Sequence, residues 1–210
     1  MNTEPVVEGL LILGALAVFV AAIVGITTVS WYVVRLGTAP GVAVHECAHM
    51  LACSVVGVPV LEVKYFGFGT PAGYVRHVEP ERYRELFVIG VAPFVVNTAV
   101  AVTIFFWLAI FVDATGDVWA SSETLVAALG MGWLGLSVGV HAFPSTGDAT
   151  ALWDRARAEW RRSPIVLLGV PVIAVIYLAN ALAWAWADVF YALGLGIAVF
   201  LFVGIQLPFL

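Results

Sequence analysis

A helix that crosses the hydrocarbon core of a bilayer takes about 20 residues at 1.5 Å each. Five runs free of Asp, Glu, Lys and Arg reach that length: residues 9–34, 86–112, 124–143, 164–187 and 189–210. A sixth, 36–58, is as long and as apolar but carries His45, Glu46 and His49 in its middle. The pattern predicts an all-α polytopic membrane protein of about six transmembrane helices. Between the second and third helices the period changes. Leu61-Glu62-Val63-Lys64-Tyr65 alternates, and Tyr74 to His77 follows the turn-forming Thr70-Pro71-Ala72-Gly73, which predicts a short β-hairpin or re-entrant segment. In 148–162, Ala151, Leu152, Ala156 and Trp160 recur at helical intervals among four arginines, as in a helix lying at the membrane interface.

Composition agrees with the pattern. Hydrophobic residues make up 62% of the 210 and charged residues 11%, too little polar surface to cover a soluble globule. Nine basic residues against fourteen acidic ones leave no footprint for nucleic acid. Cys47 and Cys53, inside one apolar run, make no disulfide framework. No basic segment precedes the first apolar run, so that run is expected to stay as a span rather than to be cleaved as a signal. Arginine and lysine in short loops are held on the cytoplasmic side. With the N-terminus inside, loops 59–85 and 144–163 hold eight of the nine positive residues, and only Arg35 falls outside. The expectation is one transmembrane domain over 1–210, multi-pass in the plasma membrane of a prokaryote, with both termini cytoplasmic.

His45-Glu46-Cys47-Ala48-His49 is the pattern His-Glu-x-x-His. On a helix the two histidines, four apart, project from one face, which is the bite a zinc ion needs, while Glu46 beside them can take a proton from a metal-activated water. From this composition the pattern is expected on the order of 0.003 times by chance, and ionisable groups at membrane depth cost roughly 2.5–3.5 kcal/mol on insertion scales. A catalytic zinc takes three protein ligands and keeps one open position. Asp148 is the leading third candidate. It follows His141-Ala142-Phe143-Pro144-Ser145-Thr146-Gly147, where the fourth span breaks at proline and glycine, and unwound backbone at membrane depth needs protein or a water cavity to satisfy it. Asp148 could equally be the N-cap of the following helix, and the two roles are compatible. His141 is the alternative ligand, or a donor to an oxyanion. Pro93 frees a backbone carbonyl in the third span, and Asn97 can hydrogen-bond to a neighbouring helix or to an extended peptide.

With these residues in order, the chain resembles the site-2 protease family of intramembrane zinc metalloproteases. The likeness rests on His45-Glu46-Cys47-Ala48-His49 followed by Gly57-Val58-Pro59-Val60, on Phe66-Gly67-Phe68-Gly69 to Gly73-Tyr74-Val75, on Gly90 to Asn97, and on Ala142-Phe143-Pro144 followed by Asp148. It covers about 36–155, leaving helices at about 9–34, 164–187 and 189–210 as additions. Two features depart from the family: Asp148 comes four residues after Pro144 rather than two, and no glycine directly precedes Pro93. The chain would be a minimal, divergent member without a PDZ-like or CBS-like regulatory domain.

The resemblance implies a zinc metalloendopeptidase. Zinc would be held by His45, His49 and Asp148, with Glu46 as the catalytic base acting on a locally unwound transmembrane substrate. Asn97 and the strand near Phe66 would hold that substrate by main-chain hydrogen bonds. The alternative is a metal-binding membrane scaffold or transporter-like subunit that keeps the fold without proteolysis. Such a protein has no need of Glu46.

Overall fold

The computed structural model describes residues 4–204. The chain divides between Gly37 and Thr38 into two compact units. Among the described residues the first unit is a single helix, α1 (Glu4–Gly37), whose last turn sets the Arg35 guanidinium 5.5 Å above the Trp31 ring. In the second unit the order is α2 (Ala39–Val56), β1 (Val60–Lys64), β2 (Tyr74–His77), α3 (Tyr83–Thr115), α4 (Ser122–Gly139), α5 (Thr146–Glu159), α6 (Val170–Leu182) and α7 (Ala187–Val203). A 3-10 segment, Pro164–Gly169, leads into α6.

Among the described residues, four helical stretches are long and apolar enough to cross a membrane: Val7–Gly37, Ala39–Val56, Tyr83–Thr115 and Pro164–Ala185. The other two expected spans come out shorter. Helix α4 opens on the polar turn Ser122-Glu123-Thr124 and stops at Gly139, because the chain unwinds ahead of Pro144. Helix α7 has 17 residues, and 205–210 lie outside the described residues. Four of the six expected spans are thus long and apolar enough to cross; α4 equals α2 in its 18 residues but opens on a polar turn, α7 has 17, and six spans are not shown.

Helix α3 is the centre of the second unit and packs on α2, α4, α5 and α7. Its C-terminal half forms an apolar core in which Ala101, Phe105, Leu108 and Ala109 meet Val138 of α4 and Val199 of α7. Small residues let these helices close. A Cβ on Gly135 would stand 2.6 Å from the Phe105 ring, and one on Gly139 would stand 2.8 Å from the Ala192 Cβ. Close backbone approach is how helices gain dispersion contacts in lipid, where no hydrophobic drive separates one apolar face from another. Helix α5 buries Ala149, Leu152 and Ala156, with Ala149 and Leu152 packed on Ile173 and Ile176 of α6. Of the four apolar residues at helical intervals, Leu152 and Ala156 are buried and Ala151 and Trp160 are exposed.

The expected hairpin is present, in antiparallel register Glu62↔Arg76, Val63↔Val75 and Lys64↔Tyr74, with an irregularity between Val60 and Glu62. Across its face the Tyr74 hydroxyl donates to Glu62 at 2.5 Å and Arg76 pairs with it at 3.1 Å. The tyrosine hydroxyl, aided by the guanidinium, holds the Glu62 carboxyl below its ordinary value, and the same bond raises Tyr74.

Candidate metal centre

Helix α2 carries Pro40 in its first turn, where an N–H would be unpaired in any case. It ends at Gly57, whose φ of 75° takes the left-handed conformation that lets the chain leave for β1. Along it, His45 and His49 lie one turn apart with their rings 4.9 Å from centroid to centroid. Opposite them α5 begins. One ligand atom from each of His45, His49 and Asp148 lies within 4.8 Å of the others, and the Asp148 Oδ1 is 3.7 Å from the His49 Nε2. Such a group could hold a metal ion.

Each member is held from behind. The His45 Nδ1–H donates to the His141 carbonyl at 2.8 Å, and the His49 Nδ1–H donates to the Ile89 carbonyl at 2.9 Å. A carbonyl can only accept, so these bonds assign the proton to Nδ1 and leave Nε2 with its lone pair for a metal. Asp148 uses its other oxygen, Oδ2, to accept from the Ser145 N–H at 2.8 Å and the Ser145 hydroxyl at 2.6 Å. The Asp148 N–H in turn donates to the Ser145 Oγ at 3.1 Å. This is a capping box. Ser145, not Asp148, is therefore the N-cap of α5. Asp148 sits three residues into the cap, free to turn Oδ1 toward His49. Two imidazole nitrogens and a carboxylate oxygen, with tautomers already set, are a donor set that fits zinc.

Glu46 is 8% exposed and follows His45 on α2. The hairpin covers it: a Cβ on Gly73 would stand 2.6 Å from the Glu46 Cγ, 2.9 Å from its Oε1 and 2.9 Å from the Lys64 carbonyl. Glycine at 73 is what lets the β2 end close over the carboxylate.

The remaining candidates fall as follows. His141 brings its carbonyl to the site, while its ring nitrogen Nδ1 lies 3.0 Å from the Ser137 carbonyl. Asn97, wholly buried, takes the helix-bonding role of its two expected ones. Its amide nitrogen faces the carbonyls of Gly41, Val138 and His141 at 3.1–3.3 Å. Phe66 lies two residues beyond β1, half-buried, with its ring 5.5 Å from that of Phe68. His77 bonds its neighbour, the Val78 carbonyl. Cys53 belongs to the α2–α3 apolar contact with Ala52, Val58 and Ile89.

Sequence reasoning missed several supporting residues. Ser137 accepts from the Gly41 N–H at 3.1 Å and so satisfies a donor in the first turn of α2. Asn180 of α6 donates to the Pro144 carbonyl at 2.9 Å, inside the unwound segment. The signals were present, since each is a lone polar side chain in an apolar run and Ser145-x-x-Asp148 has the capping spacing.

No family model, no curated protein and no solved structure matches this chain.

Proposed function

We propose that the protein is an intramembrane zinc metalloprotease that hydrolyses peptide bonds within or near the transmembrane segments of membrane-protein substrates. The observation that carries the reading is the convergence of His45, His49 and Asp148 with both histidine Nδ1 groups pinned and Glu46 adjoining in sequence. Zinc bound by these three residues is the source of the Lewis acidity that such a reaction needs at a carbonyl and at water. Glu46 takes the proton of the attacking water on its carboxylate and delivers it to the leaving amide nitrogen. The small exposure of Glu46 under Gly73 keeps bulk water from that carboxylate. Both histidine Nδ1 groups are already committed to carbonyls, so the tautomers such a site needs are set.

Each strand of the two-stranded sheet has one unpaired edge. An unwound substrate segment is held there by strand addition near Phe66. Asn97 contributes by fixing the backbone around the ligands rather than by touching substrate, since its amide protons are committed to carbonyls. The arginine-bearing hairpin and α5 face the cytoplasm, with both termini on that side, in the plasma membrane of a prokaryote.

The test is metal content by mass spectrometry on detergent-purified protein, paired with cleavage of a transmembrane reporter peptide. Wild type is expected to carry about one zinc, as befits a three-ligand site, lost in His45→Ala and Asp148→Ala and kept in His141→Ala. Glu46→Gln is expected to keep zinc and lose cleavage. Equal cleavage by wild type and Glu46→Gln would sink the protease reading and leave a metal-binding scaffold. A wild type that takes up no zinc on reconstitution would sink the metal site as well.

A further inference from the structure

In an unbroken α-helix the carbonyl of residue 89 accepts from the N–H of residue 93. Here residue 93 is proline, which has no N–H, and α3 runs through it without ending. The Ile89 carbonyl is thus denied its partner within the helix. It is also denied water, because Ile89 is 2% exposed and Pro93 is fully buried. The donor that reaches it is the His49 Nδ1–H, at 2.9 Å.

We propose that Pro93 is a positioning residue for the metal site: by withholding an N–H from Ile89, it reserves that carbonyl for His49 and so aims the His49 Nε2 at the metal. The inference rests on the metal-binding part of the reading above and is independent of proteolysis. The break between α4 and α5 does the same for the other two ligands. In a continuous helix the His141 carbonyl would accept from the Ser145 N–H. Instead that carbonyl takes the His45 Nδ1–H at 2.8 Å, and the Ser145 N–H goes to the Asp148 Oδ2 at 2.8 Å. One interruption orients two ligands, and Pro93 is the interruption that orients the third. A carbonyl has two lone pairs, so an N–H restored at residue 93 would compete with His49 without excluding it. The expected loss of metal affinity is that of a ligand's supporting hydrogen bond, about 10–100-fold.

The experiment measures zinc affinity of the full chain in detergent by competition with a chromophoric chelator. It compares wild type, Pro93→Ala and a chain carrying lactic acid at position 93. Lactic acid has the alanine side chain but an ester oxygen in place of the N–H. Pro93→Ala is expected to bind zinc about 10–100-fold more weakly and to shift the visible bands of the cobalt-loaded protein. The lactic acid chain is expected to recover both. Any damage from losing the proline ring, including to folding, is common to the two substituted chains, so their difference isolates the N–H. Equal weakening in both would assign Pro93 to helix shape and overturn the proposal, as would wild-type affinity in Pro93→Ala. A wild type that binds no zinc is a different outcome, one that removes the metal site and this role with it.

Discussion

Toward its C-terminal end α3 meets α4 and α7 through Ala101, Phe105, Leu108 and Ala109, with glycines 135 and 139 opposite or nearby. Toward its N-terminal end it meets α2 and α5 through Ile89, Gly90, Pro93 and Asn97, facing His49, Leu152 and the loop at His141. In the first region the contact is made mainly by apolar side chains and close-packed glycines. In the second, two helices are interrupted, and the backbone groups they release are taken up by His45, His49, Asp148 and Asn97. In lipid an unsatisfied backbone group costs several kcal/mol, so an interruption persists only where side chains repay it. The difference teaches that polar side chains and helix breaks in this fold are two halves of one arrangement. Either half alone would be destabilising.

Substitutions in the two regions should therefore separate binding from stability. The largest effect belongs to Asp148→Ala, which removes a ligand and the capping-box partner together. Zinc affinity should fall more than about a hundredfold, beyond the range for supporting residues alone, as read by chelator competition. If Asp148→Ala kept its zinc, Asp148 would be no ligand, and the third position would pass to another residue such as His141. Asn97→Leu should come next, at about 2–3 kcal/mol of unfolding free energy, because it removes a buried amide that donates to the Gly41, Val138 and His141 carbonyls. Unfolding in mixed micelles measures it, and zinc affinity should fall with it, since the His141 carbonyl also carries His45. In the apolar region, Gly135→Leu should cost about 1–3 kcal/mol by overpacking against Phe105. It should leave zinc affinity unchanged, and a parallel loss of zinc would show that the regions are coupled.

Two smaller effects sharpen the picture. Ser145→Ala should cost about 1 kcal/mol through the lost cap and weaken zinc by about tenfold through the freed Asp148. The smallest effect lies on the hairpin. The Glu62 carboxyl is held below its ordinary value near 4.5 by Tyr74 and Arg76. Its contribution is therefore present above that ordinary value and lost as pH falls through the lower, folded one. Hydrogen exchange of the β1 and β2 amides should quicken only in that acid window, and Glu62→Gln should remove the dependence.

The hairpin, the helix α5 and the long apolar helices were legible because each has its own period, and His45, Glu46, His49 and Asp148 because ionisable groups are rare in and beside apolar runs. The reading was less complete where a polar residue had two possible partners. Asn97 could bond a helix or a substrate, and Asp148 could cap or ligate. In the structure Asn97 is buried and donates to three carbonyls, and Asp148 gives one oxygen to Ser145 and turns the other toward His49. The expected span ran past the end of α4 for a related reason: a count of charge-free residues passes through Val140 to Phe143, while the backbone unwinds there and the His141 carbonyl goes to His45.

The sequence by itself determined the helical membrane architecture, the hairpin's place between α2 and α3, and the residues able to bind a metal. These follow from local period and from the cost of burying charge. Only the tertiary structure decided that the start of α5 faces the histidines of α2, that Gly73 closes over Glu46, and that the Ile89 and His141 carbonyls serve His49 and His45. Those pairings join residues from 27 (Glu46 to Gly73) to about 100 positions apart. Which freed backbone group a side chain meets depends on where each helix breaks and how closely its neighbours pack, and no local pattern encodes that.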